Sequence, residues 1–154
     1  MDLRDYLDNV VRPNVAEFEK DYASLRLAHN AAHSVDALAA HIYSAAGGAA
    51  AKLGKDDTEF RELLAAKNEM FRLLRDVAKA VKHVELKRGK PEVSKANQIS
   101  TKRLGWGEAR YGEGRYGSPP QAIVTTDNGD HRVLETVVKD ALAFLENEMK
   151  TLGL

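Results

Sequence analysis

The stretch from Asn68 to Leu86, NEMFRLLRDVAKAVKHVEL, constrains this chain more than any other. Met70, Leu73, Leu74, Val77, Ala78, Val81 and Val84 recur at steps of three and four, which places apolar side chains on one face of a helix. Such a face has to be covered by other elements, so the chain must pack as a layered or bundled domain. Asn68 suits the N-cap, because its side chain accepts from the free N–H groups of the first turn. Gly89 and Pro91 are expected to stop the helix. The opposite face carries Arg72, Asp76, Lys79 and His83 at steps of four, three and four, with Arg75 and Lys82 beside them. One reading is a solvated face of alternating charge. The other is a site, with His83 as acid or base and Arg72 or Arg75 holding an anion. The candidate catalytic set is then Arg72, Arg75, Asp76, Lys79 and His83.

A chain of 154 residues is expected to form one domain with a real core. No apolar run approaches the roughly 18 residues of a membrane span, so no membrane partner is expected. The N-terminal MDLRDYLDNV alternates acidic and apolar residues and lacks a signal pattern. With no cysteine, disulfides, thiolate catalysis and cysteine zinc sites are excluded within the chain. A cytoplasmic location is the expectation. The net charge is zero but unevenly spread. From Lys79 to Ser118 there are ten basic and four acidic side chains, an excess that the rest of the chain balances. A basic segment on an acidic body suits nucleic acid, or an acidic patch on a second copy of the chain.

In order, residues 1–12 keep helical spacing through Leu3, Tyr6, Leu7, Val10 and Val11, with Asp2 as a possible cap. Pro13 fits a break or the first turn of a new helix. The period continues through Val15, Phe18, Tyr22 and Leu25, then Ala28, Ala32, Val35, Ala39, Ile42 and Ala46. Either one helix spans 14–46 or two meet near Leu27–Ser34. The broken form is preferred, because a helix that long is uncommon in a globular protein. Gly47-Gly48 ends the region. Its many alanines permit close helix approach. His29, His33 and Asp36 share one flank of a continuous helix, a weak pattern for zinc or another divalent metal. The alternative is histidines at the edge of a helix interface, with His41 packing or capping. Asp57 with Glu59 and Phe60 reads as the start of a short helix through Leu63 and Leu64 to about Lys67.

Beyond Leu86 the chain turns basic and turn-rich, with a short extended piece possible near Val93 or Ile99. GWGEARYGEGRYGSPP follows. RYG occurs twice, five residues apart, and this glycine content rules out a helix interior. Trp106, Tyr111 and Tyr116 alternate with Arg110 and Arg115, the residue types that bind single-stranded nucleic acid by stacking and phosphate contact. The alternative is a surface loop whose rings pack onto the bundle or onto a partner subunit. QAIVTT has strand character and Asp127–Asp130 is a turn signal, so a small hairpin over 121–134 is expected. Val137, Val138, Ala141, Leu142, Leu145 and Met149 give a last amphipathic helix over 135–152.

The run RDVAKAVKH looks like a motif of uncharacterised bacterial helical proteins and is distantly similar to the HEPN superfamily of helical-bundle domains. The matching positions are Arg75, Asp76 and His83. The interval to the histidine is longer here than in that family, and aspartate stands at the position where asparagine is common. The resemblance implies a helical bundle. For an active member it implies metal-independent RNA cleavage, with His83 as acid/base, an arginine on the phosphate, and a paired site across a dimer.

The expected architecture is mainly α: one domain over 1–154, a bundle of four to five helices with a helical core over 1–86. A basic Gly/Tyr/Arg loop spans 87–120, ahead of the hairpin and the C-terminal helix. The leading functional expectation is a non-catalytic binding or assembly module that self-associates as a homodimer and needs no cofactor. HEPN-like nucleic-acid binding or cleavage, and a metal-binding bundle, are the alternatives. There is no Walker loop and no GxSxG nucleophile elbow.

Overall fold

A computed structural model of the chain describes residues 1–47 and 53–154. Helix α1 (Leu3–Tyr6) starts where the Asp2 carboxylate accepts the Asp5 N–H at 2.8 Å. It runs through a π-helical turn, Leu7–Val11, into α2 (Arg12–Lys20). The widened turn sits just ahead of Pro13. Proline lacks an N–H and its ring crowds the carbonyl four residues back, here that of Asn9, so the loosened ladder accommodates it.

Helix α3 (Leu25–Ala46) follows. The expected break exists, but over Asp21–Ser24, ahead of Leu27–Ser34. Ser24 Oγ accepts the Leu27 N–H and offers the backbone a local alternative to a continued helix. Ser34 makes no such break, because its hydroxyl donates back to the Ala31 carbonyl at 2.9 Å inside the helix. The Gly47-Gly48 stop is only half visible: Gly47 follows α3 directly, and Gly48 lies outside the described residues.

α3 is the hub, packing against α1, α2, α4 (Asp57–Lys67), α5 (Glu69–His83) and α6 (Leu134–Leu152). Ala28, Ala31, Ala32 and Ala39 are buried on it, and such small side chains let several neighbours approach. α4 is capped by Asp56, whose carboxylate accepts the Glu59 N–H at 2.8 Å. Only Asn68 separates α4 from α5, and it caps α5 by accepting the Phe71 N–H at 2.8 Å.

α5 buries Leu73, Leu74, Val77 and Ala78 as its period requires, together with Phe71, Arg75 and Ala80. It ends at His83, three residues short of the expected Leu86, which leaves Val84 exposed. α6 packs along α5, with Phe144 against Phe71, and buries Val137, Val138, Ala141, Leu145 and Met149.

The hairpin forms as β2 (Gln121–Thr125) and β3 (His131–Val133), closed by the Thr126–Asp130 turn. β1 (Ile99–Lys102) adds a third antiparallel strand in the order β1-β2-β3, with Ile99 opposite Val124. A lone hairpin is marginal in water, and the third strand with the helices behind it supplies the missing burial. Leu104, Ile123 and Val133 make a second small core on this sheet. The fold is a mainly α bundle with a small sheet, and no helix among the described residues is long and apolar enough to cross a membrane.

Candidate functional site

Four of the five candidate catalytic residues meet in one recess. Arg72, Arg75, Asp76 and Lys79 line a cavity of about 370 Å³. Glu62, Ala65 and Ala66 of α4 form another wall, and Leu86, Arg88, Gly89, Lys90 and Pro91 close it as a strap. His83 lies outside it, exposed as the last residue of α5.

The strap is held at both ends. At one end Ala96 N–H donates to the Val84 carbonyl at 2.9 Å and Leu86 N–H to that of Ser94 at 2.7 Å. At the other, Glu92 takes Arg72 Nε on its carboxylate at 2.7 Å and donates its N–H to Asp76 at 2.8 Å. Asp127 in the hairpin turn donates its N–H to the Glu92 carbonyl and accepts from Ser94 and Gln98.

Arg75 is buried, with one terminal nitrogen 2.6 Å from Glu62 and its Nε buried without a partner. Behind it Asp36 pairs with Arg61 at 3.0 Å. Burial pushes the Asp36 carboxyl above its ordinary range, against the pull of Arg61, Arg75, Lys79 and His33. Burial also raises Asp76, opposed by the Glu92 N–H and nearby Lys79. The solvated-face reading therefore fails for Arg75, and the site reading fails to gather His83.

The metal set His29, His33 and Asp36 does not assemble. Among the described residues no group of three or more histidine and acidic side chains is placed to hold a metal ion. Asp36 turns to Arg61 instead, and His29 Nε2 is buried without a hydrogen bond. Burial and neighbouring His33 both lower the His29 pKa. His41 packs, its ring stacked 3.9 Å from that of Tyr6.

The Gly/Tyr/Arg loop is more regular than its sequence suggests. Three backbone hydrogen bonds close three successive four-residue turns: Glu108 to Gly105, Glu113 to Arg110, and Ser118 to Arg115. The third residue of each is glycine at positive φ (Gly107 79°, Gly112 82°, Gly117 82°), while the second is not, which makes them type II turns. Trp106, Tyr111 and Tyr116 occupy the second position and are fully exposed, at 105%, 107% and 106%. Packing of these rings back onto the bundle is thereby overturned.

The arginines at the first position point the other way. Arg110 reaches Glu69 and Asp130, each at 3.3 Å. Arg115 grips Glu135 with two nitrogens at 3.0 and 2.8 Å and the Glu19 carbonyl at 3.0 Å, and lies 3.9 Å over the Tyr22 ring. Between them Glu113 inserts beneath the loop. It accepts from Arg132 Nε at 2.8 Å and Val133 N–H at 3.2 Å, and Arg132 is 1% exposed. Gly114 lies close on the sheet, where an added Cβ would meet Gln121 and Val133 at 3.1 and 3.2 Å.

Arg110 and Arg115, read from sequence as phosphate ligands, are thus committed to carboxylates. Several contributors escaped sequence reasoning: Glu92, Arg88 and Lys90 at the recess, and Arg132 with Glu113 under the loop. One signal was available, since Gly105-Trp106-Gly107-Glu108 precedes the two RYG turns in the same five-residue frame. In comparisons with known proteins, no protein-family profile, curated protein or solved structure matches the chain.

Proposed function

We propose that the chain is a non-catalytic assembly module and that the triple-turn loop is its contact element, with a second copy of the chain as partner. The observation that carries this reading is the full exposure of Trp106, Tyr111 and Tyr116 at the tips of three braced turns. Rings held outward on a fixed frame lose little freedom when they are covered, which favours association. Tryptophan, tyrosine and arginine are the residues that dominate protein interfaces, and glycine-rich loops tipped with aromatic rings are a recurrent binding surface. The two arginines are neutralised by Glu69, Asp130 and Glu135, so the patch does not repel its own copy. Packing one loop on the other would give an isologous, two-fold interface.

Trp106 is the only tryptophan of the chain, so its fluorescence reports on this loop directly. The expected result is water-like emission at high dilution that shifts to the blue as concentration rises, in step with dimer formation in sedimentation velocity. Tyr111→Ser/Tyr116→Ser keeps the probe and should weaken the dimer by about tenfold or more. A chain that stays monomeric with unchanged emission at every concentration rules the reading out. Quenching of Trp106 by single-stranded RNA, with steep salt dependence, would replace the protein partner with nucleic acid.

A further inference from the structure

The recess between α4, α5 and the strap is a separate feature from the loop, and three observations on it converge. The first is charge. Five cations line it, Arg72, Arg75, Lys79, Arg88 and Lys90, against two carboxylates, Glu62 and Asp76. Arg72 and Arg75 have carboxylate partners. Lys79, Arg88 and Lys90 have none within 4.0 Å among the described residues. Like charges gathered in a concave site raise its potential and favour an anion there.

The second is an orphaned donor. The Arg75 side chain is 6% exposed, yet its Nε is buried without a partner while the residue lines the recess. A guanidinium nitrogen buried without an acceptor is costly and marks the group as under-satisfied. The nitrogen that an anion's oxygen can reach is Nη1, which also lacks a hydrogen-bond partner among the described residues and is not fully buried. The third is strain. Val84 sits at φ 64°, ψ −44°, and Glu85 N–H donates to the His83 carbonyl at 2.7 Å. That is the rare γ-turn of positive φ, adopted here by a β-branched residue. It ends α5 and throws the strap, with Arg88 and Lys90, over the recess. Backbone strain of this kind concentrates at ligand clamps.

We propose that this recess binds the phosphate groups of a small phosphorylated ligand, of diphosphate size or larger. Arg75 forms the floor, Lys79 the wall, and Arg88 and Lys90 close over the anion from the strap. The volume of about 370 Å³ lies at the lower end of the roughly 300–1,000 Å³ of small-molecule sites. The enclosing strap favours a compact ligand over an extended strand. Of the two lining carboxylates, Glu62 is paired with Arg75, and burial raises Asp76 above the ordinary aspartate range, which makes it easier to neutralise than an exposed aspartate.

Inorganic pyrophosphate is the probe, read by titration calorimetry and by the rise in Tm of the whole chain. Wild type should bind one equivalent and gain thermal stability. Lys79→Gln should weaken binding by about tenfold, and Arg88→Gln/Lys90→Gln, on the exposed strap, by more. Because the strap variant leaves α5 untouched, loss of binding in it cannot be ascribed to misfolding of the core. No heat and no Tm rise in wild type overturns the proposal, as does binding by both variants with the affinity of wild type. Binding of a single-stranded RNA oligonucleotide that pyrophosphate does not displace also overturns it, in favour of an open nucleic-acid surface. Tyr111→Ser/Tyr116→Ser should bind pyrophosphate as wild type does, which separates this site from the assembly reading.

Discussion

At the scale of single residues, Val84 is the sharpest local conflict in the chain. A β-branched residue disfavours positive φ, and the side chain is 71% exposed, so packing offsets little of that cost. Glycine removes the Cβ clash, worth about 1–2 kcal/mol, and returns part of it as extra freedom in the unfolded chain. Val84→Gly should therefore stabilise the chain by about 1 kcal/mol in denaturant unfolding. A loss of stability would show that the turn is not formed. Val84 was read from sequence as the last apolar residue of the helical period. Periodicity reports which face a residue shares, and it is silent on the turn that ends the helix at His83.

At the scale of elements, the triple-turn loop owes its order to what lies beneath it. Arg132 on β3 ties Glu113 of the second turn to Glu69 at the start of α5. Burial alone would raise Glu69, but Arg132 and Arg110 outweigh it and hold its pKa low. Arg132→Met leaves the 6% exposed Glu113 carboxylate without its cation, at a cost of about 3–5 kcal/mol. The loss should be smaller in Arg132→Met/Glu113→Gln, and a double-mutant cycle by chemical denaturation measures the coupling. Additive single losses would mean that the pair does not brace the loop. The sequence shows the turns, because type II geometry demands glycine at their third position. It does not show the brace, since Glu69, Glu113 and Arg132 are far apart along the chain.

For the whole molecule, acid sensitivity follows from the hub helix. Burial, with His33 nearby, lowers the His29 pKa, and burial with the N-terminal charge lowers that of His41. The unfolded chain then binds more protons than the fold once pH drops below the ordinary histidine value of 6.5. Stability should be fully present above 6.5 and fall as pH decreases through the folded values. His29→Gln should flatten that fall in a series of Tm against pH. An unchanged slope would place the loss elsewhere. Carboxylates that the fold holds low, such as Glu62 beside Arg75, add their own loss at more acid pH.

The bundle, the caps at Asp2 and Asn68, the hairpin turn and the amphipathic faces of α5 and α6 were legible in the sequence. They depend on neighbours three or four residues away, or on the local chemistry of one turn. The break ahead of α3 was misplaced, because a weak local cap at Ser24 competed with a long apolar period and won. What only the tertiary structure decided is which charges meet. It gathers Arg72, Arg75, Asp76 and Lys79 with Arg88 and Lys90, leaves His83 outside, turns Asp36 to Arg61, and faces the loop arginines inward while the rings face out. Charge pairing is set by distance in space, and the chain reversals at Val84 and through the three turns set those distances.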